Sequence, residues 1–363
     1  MKKSLVLLLL VFQFSCRHSD DCLVATLDRR PSIDSLSAYI EIIDVLELEL
    51  PENTTIGDVK AVEFIKSNTL IHQNGVISSL MLFDDKGKFI KELNKLGAGP
   101  GEYFDIDFFL ATNDKLILYD RHSMKFLDFD IESFEFLSER KSEYYFIGGY
   151  SSNDTGGLFL VSDSDIDNDW YEGYIFSDKN GNIINKINAF PASIEGFNSF
   201  NISTINGSSY FSEPFSDKVF LIDSDNLLNR VCLDFGKKRI SERVFSMKEA
   251  YDFYDLLDEG NYFFAVHNFN FNEQLYSFNY YEGSPENVRL GIMDKNGGSL
   301  RVFSPKSRVE ELLYRPLSVR DGFNRAVLLP GEYDRELLKE LDIQLAAVNL
   351  DNPLLITYEF KLP

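Results

Sequence analysis

Gly97-Ala98-Gly99-Pro100-Gly101-Glu102-Tyr103 lies between two apolar, strand-like runs, a hairpin over 82–93 before it and a strand over 105–111 after it. Three glycines permit backbone angles that a Cβ forbids, and Pro100 fixes one φ. The stretch reads as a tight turn that passes the chain from one small sheet to the next. It is not a phosphate cradle: Pro100 removes a donor, no helix-forming run follows, and Glu102 and Asp105 would repel an anion.

Working outward, the hairpin recurs. Leu82-Phe83-Asp84-Asp85-Lys86-Gly87-Lys88-Phe89-Ile90 is matched by Ile175-Phe176-Ser177-Asp178-Lys179-Asn180-Gly181-Asn182-Ile183-Ile184, and again by the segment 291–300 with its Asp294-Lys295-Asn296-Gly297 turn. Each is an apolar strand, a turn supplying the positive φ that a tight hairpin requires, and a second apolar strand. Degraded copies turn near Asp130 and Asp223. The turns at Asp85, Asp130, Asp178 and Asp223 are 45, 48 and 45 residues apart, the period of a four-stranded propeller blade. The next interval, 71 residues to Asp294, holds a helix-like insertion over 241–259. A second helical stretch is expected over 332–341.

One period before Asp85 falls at residue 40, where 39–50 forms a β-rich run whose partners are missing from the N-terminus. A strong strand at 354–360 supplies them. The expected fold is therefore all-β: a six-bladed β-propeller over 38–363, closed by the N-terminal strand and carrying two short helical insertions. Closure removes two exposed sheet edges.

The Gly-x-Gly-Pro-Gly-Glu-Tyr turn, together with Leu337-Leu338-Lys339-Glu340-Leu341 and Asn352-Pro353-Leu354-Leu355-Ile356-Thr357-Tyr358-Glu359-Phe360, resembles a large family of NHL-like six-bladed β-propeller lipoproteins from Bacteroidota. The resemblance covers 38 to the C-terminus. It implies a propeller at the cell envelope and brings no catalytic residues with it, because that family is largely uncharacterised.

Composition agrees with sheets. The chain has 32 Phe and 18 Tyr in 363 residues, and aromatic residues are enriched in strands. A net charge of −22 makes phosphate backbones and anionic lipid surfaces poor partners, so nucleic acid is not expected. Lys2-Lys3 followed by an apolar core over 5–14 and Ser15-Cys16 reads as a lipoprotein signal over 1–15. Cys16 is then the lipidated residue, 16–37 a tether, and the address the outer membrane on its periplasmic or surface face, with the lipid anchor as the sole membrane contact. A Cys22–Cys232 disulfide is permitted in an oxidising compartment, but the apolar run around Cys232 favours a buried thiol.

Propellers hold ligands on the loops around the central channel. The candidates there are His72, Glu102, Arg121, His122, Trp170, Tyr171, Glu213 and His267, each of which also fits a plain turn or surface role. Trp170, the one tryptophan, is read in a polar loop, placed either to stack on a sugar or peptide ring or to fold back over its blade. The acidic stretch 163–169 resembles a calcium loop but lacks its glycine and its distal Glu. Four histidines without metal-ligand spacing argue against zinc. No metal or cofactor is expected, and the chain is expected to be a monomer. The leading reading is a non-catalytic binding module for a glycan, peptide or envelope protein. The alternative is a metal-dependent hydrolase or lyase using channel carboxylates and histidines. A purely structural assembly subunit would need a broad apolar patch on the outer face.

Overall fold

The computed structural model describes residues 23–26, 34–75, 78–152, 156–166, 169–178, 182–188, 201–213, 216–223, 225–240, 250–260, 262–296, 300–341 and 348–363. Four antiparallel sheets of four strands each follow the chain as meanders. The first comprises Asp58–Ile65, Asn68–Asn74, Ser78–Phe83 and Phe89–Leu93. The second runs through Phe108–Ala111, Lys115–Asp120, Lys125–Asp130 and Phe136–Lys141. The third holds Phe146–Ser152, Gly156–Ile166, Asp169–Ser177 and Ile183–Asn188. The fourth holds Phe263–Phe271, Leu275–Glu282, Ser284–Asp294 and Leu300–Phe303. The remaining strands join one nine-stranded sheet, and the whole is a β-propeller arrangement.

In the nine-stranded sheet, Asn201–Ile205, Ser208–Ser212, Lys218–Asp223 and Asn226–Asp234 form one meander. Ser318–Arg320, Phe323–Leu328, Leu354–Phe360 and Ile40–Glu47 form the other. A single parallel pair, Thr204 with Arg320, joins them. The expected closure is present: Ile40–Glu47 pairs antiparallel with Leu354–Phe360, Ile40 opposite Phe360 and Glu47 opposite Leu354. Apolar alternation fixes this register, because a one-residue slip would turn the buried Leu354, Ile356 and Tyr358 away from their core.

The opening turn is a latch. Tyr103 is fully buried, and its hydroxyl lies 3.0 Å from the Leu93 carbonyl and 3.2 Å from that of Ser78, tying the loop to the first sheet. Glu102 accepts the Gly99 N–H at 2.8 Å. Gly101 has φ +73°, and a Cβ there would stand 2.7 Å from the Phe136 ring in the second sheet, so only glycine fits. Tyr314 repeats the device, bonding the Phe303 carbonyl at the end of the fourth sheet. Gly87 is required for another reason: a Cβ would meet the Glu47 carbonyl, where the closing strand runs past the first sheet's outer turn.

The helices differ from expectation. Of the stretch 241–259, the described helix is Ala250–Gly260, and 241–249 lies outside the described residues. The stretch 332–341 narrows to Arg335–Glu340, because Asp334 accepts the Leu337 N–H and starts the helix there. A third helix, Arg308–Leu313, was not foreseen; Ser307 caps it, and its few residues carry too little periodicity to read. The strand expected over 105–111 is only Phe108–Ala111, since Asp105 and Asp107 hold turn hydrogen bonds instead. Tyr39, the first residue of the β-rich run expected over 39–50, instead ends a 3-10 turn, Leu36–Tyr39. No helix among the described residues is long and apolar enough to cross a membrane.

Within the segment expected to be tether, Leu23–Thr26 lies parallel to Val231–Asp234 on the outer edge of the nine-stranded sheet. Cys232 is disulfide-bonded, which corrects the buried-thiol reading; its partner lies outside the described residues. An apolar run hides a half-cystine as readily as a thiol, so local sequence could not separate them. Cys232 is therefore expected to resist alkylation by iodoacetamide until a reductant is added, as peptide mapping would read. Cys232→Ser is expected to cost about 2–4 kcal/mol in denaturant unfolding.

Candidate functional site

The innermost strands of the sheets surround a central cavity of about 650 Å³. Its wall includes Lys60, Glu63 and Lys66 from the first sheet, Asp107 and Phe109 from the second, Tyr150 from the third and Asn268 from the fourth. Thr204 and Arg320 add the nine-stranded sheet. That volume falls within the ordinary range for small-molecule sites.

At one end, Asp107 joins the cavity to an exposed cluster. Its carboxylate accepts the Arg121 backbone N–H at 2.8 Å and pairs with the Arg121 guanidinium at 3.0 Å. Burial pushes the Asp107 carboxyl up, while Arg121 opposes that shift. The guanidinium also lies 5.4 Å from the Tyr145 ring centre, and Tyr145 is 37% exposed. Phe104, 45% exposed, meets the exposed His122 ring edge-on at 4.8 Å. Fully buried Asp120 fixes the group: it accepts the Phe104 N–H at 3.0 Å and the Ser123 hydroxyl at 2.6 Å. Two aromatic faces thus stand in solvent beside an anchored guanidinium, a surface able to stack on a flat ring and bond its hydroxyls.

Of the sequence candidates, Arg121 and His122 come together here. Glu102 stands in the loop leading to Phe104, with its carboxylate turned into the Gly97–Tyr103 turn as a cap. His72 is buried in the cavity wall, its Nε2 3.0 Å from the Ser78 hydroxyl and its ring edge-on to Phe109; burial pushes its pKa down to about 4. His267 lies in the inner strand of the fourth sheet, Nδ1 2.7 Å from the Ala265 carbonyl, and burial likewise lowers it to about 4. Glu213 is buried and hydrogen-bonded by Tyr174; burial raises its pKa to about 7. Of these three, His72 shares the cavity wall with Asp107, whereas Glu213 and His267 are not among the residues that line the cavity. Trp170 and Tyr171 are not in a loop: the backbone places them in the Asp169–Ser177 strand, opposite Asp165 and Ser164. Their side chains lie outside the described residues.

Sequence reading missed Phe104, Asp107, Tyr145, Glu63, Asn268 and Arg320. Phe104 follows the Gly-Glu-Tyr turn directly, and Asp107 alternates with Asp105; neither pattern marks a site until the second and third sheets meet. In the Phe263–Phe271 strand, Ala265 and Asn268 have φ near +50°, and the pairing with Leu275–Glu282 shifts twice. Such bulges re-aim side chains, and Asn268 reaches the cavity through one. Among the described residues, no group of three or more His, Cys, Asp or Glu is placed to hold a metal ion.

Sheets radiating around an axial cavity define a β-propeller protein with a ligand-sized centre. The chain belongs to the DUF4934 family, a domain of unknown function, whose family model matches residues 24–358. Its fold is similar to a candidate exported protein from Bacteroides fragilis, at 16% identity and TM-score 0.72, covering 93% of this chain and 100% of that one. A DUF4221-family protein from Bacteroides vulgatus overlaps more loosely, at 9% identity and TM-score 0.48 over 90% of this chain and 99% of that one. Among curated proteins, none matches the sequence.

Proposed function

We propose that this protein is a lipid-anchored, six-bladed β-propeller of the cell envelope that binds an oligosaccharide, without catalysis, at the mouth of its central cavity. The count of six treats the nine-stranded sheet as two blades, because only the Thr204–Arg320 pair bridges its halves, with Leu23–Thr26 as an added edge strand. The envelope address draws on the export-type N-terminus with Cys16 and on the Cys232 disulfide, which suits an oxidising compartment. The observation that carries the binding reading is the Asp107–Arg121 pair at the cavity wall, flanked by exposed Phe104, His122 and Tyr145.

The test is a glycan array probed with the mature protein, beside a peptide library. Retention of a defined saccharide class is expected. A Phe104→Ala/Tyr145→Ala variant should then lose at least about tenfold in affinity, the size of one or two aromatic contacts, with an unchanged melting temperature. Peptide binding with no saccharide retained would overturn the reading. A metal-dependent hydrolase or lyase has less support, since His72 and His267 are buried and each is held by a protein oxygen.

A further inference from the structure

The three cysteines of the chain divide between two tasks. Cys232 is disulfide-bonded, and the sequence holds two others, Cys16 and Cys22. Leu23–Thr26 runs parallel to Val231–Asp234, with Leu23 opposite Val231 and Val24 opposite Cys232. Cys22 adjoins that pairing directly in the chain, whereas Cys16 precedes Leu23 by seven residues. In the anchored reading the Cys16 sulfur is a thioether to the lipid, and a thioether cannot enter a disulfide.

The edge that Leu23–Thr26 completes has its own character. It stands at the far end of its meander from Asn201–Ile205, whose Asn201, Ile202 and Thr204 line the cavity. Leu23–Thr26 has no charged residue, and Asn226–Asp234 has one of each sign, Arg230 and Asp234, with Leu228 37% exposed. In a chain of net charge −22, these two strands therefore lack the acidic excess that an anionic headgroup layer would repel.

We propose that Cys22 is bonded to Cys232, and that this bond, close behind the lipid on Cys16, turns the outer edge of the nine-stranded sheet toward the membrane. This rests on the lipid-anchor part of the reading above. The bond forms by two thiol–disulfide exchanges: the two thiols give up two protons and two electrons to a disulfide-bearing oxidant of the envelope, which leaves as a dithiol. The tether expected over 16–37 then shortens sharply. From Cys16 to Cys22 is six residues, a reach of at most about 20 Å, against about 70–75 Å to residue 37. A leash that short keeps the edge strand beside the bilayer and leaves the cavity, four strands inward, clear of it.

The test begins with non-reducing peptide mapping of the full lipidated chain, purified from membranes in detergent. A Cys22–Cys232 linked peptide is expected, beside an N-terminal Cys16 carrying the mass of diacylglycerol. A Cys16–Cys232 link, or a Cys22 that alkylates without reductant, would overturn the bond. An unmodified Cys16 beside an intact Cys22–Cys232 link would leave the bond standing and overturn the membrane-facing edge together with the anchor reading. Orientation is read in phosphatidylcholine vesicles doped with rhodamine-headgroup lipid, by energy transfer from a dye on a Leu228→p-azidophenylalanine or a Lys86→p-azidophenylalanine chain. Lys86 is exposed in the outer turn of the first sheet. With a leash of about 20 Å, transfer from position 228 should be at least about twofold stronger than from position 86. Inserting about twelve Gly and Ser residues after Arg17 should erase that difference. Equal transfer from both positions without the insertion would overturn the membrane-facing edge.

Discussion

Internal deletion of Ile40–Glu47 is expected to abolish the folded state rather than weaken it. The strand pairs along the whole length of Leu354–Phe360, and Ile40, Ile42 and Val45 pack on the core cluster that includes Leu354, Ile356 and Tyr358. Without it, Leu354–Phe360 becomes an apolar sheet edge open to intermolecular pairing. Three partly buried side chains, each contributing up to about 1.5–3 kcal/mol, together with the lost ladder, remove a large share of an ordinary domain's stability. The deleted chain should be recovered as aggregate, or as a soluble form without a cooperative urea transition. Deleting Leu23–Thr26, an added edge strand, should instead leave a cooperative transition at a lower midpoint.

The second large effect concerns pH. Glu213 is 6% exposed, and its carboxyl is pushed up to about 7 by burial, with Tyr174 and Lys218 opposing. An acid whose folded pKa lies above its unfolded value favours folding while protonated, so its contribution is complete at acid pH. It declines as pH rises from about the ordinary carboxylate value, 4.5, through about 7. The shift corresponds to roughly 3 kcal/mol by pH 8. Glu213→Gln keeps a hydrogen-bond acceptor for Tyr174 and removes the ionisation. Urea unfolding should show the variant about 3 kcal/mol more stable than the parent at pH 8, with the gap closing toward pH 4. A gap of equal size at both pH values would mean that packing, not charge, is responsible. His72 and His267 act in the opposite sense. Their depressed pKa values mean that stability is held above pH 6.5 and lost toward about 4, so acid unfolding should be steep.

The sequence disclosed what repeats. The Asp-Lys turn residues fall where the third and fourth strands of the first and fourth sheets meet, and the orphan strand near residue 40 finds its partner at the other end of the chain. It disclosed Arg121 and His122 because both fall in the loop after a repeat's second strand. What stayed hidden depends on contacts between distant segments. Glu63 and Arg320 are 257 positions apart, and nothing near either one predicts the other. The parallel strand Leu23–Thr26 lies in a stretch too short for periodicity to register. Trp170 was misread because charged neighbours resemble a loop, whereas the Gly156–Ile166 and Asp169–Ser177 strands carry the hairpin through them. Glu102 looks like a site residue until its hydrogen bond to the Gly99 N–H places it in the latch between sheets.

Ring closure by the strand Ile40–Glu47 underlies both the central cavity and its mouth. Asp44 and Thr357 face each other across that closure. Opposed residues in an antiparallel pair stand about 4.5–5.5 Å apart at Cα, within reach of a disulfide. In an Asp44→Cys/Thr357→Cys variant, non-reducing peptide mapping should recover the two segments as one linked species, with the Cys232 link unchanged. Freely alkylated cysteines at both positions in the folded variant would contradict the closed ring.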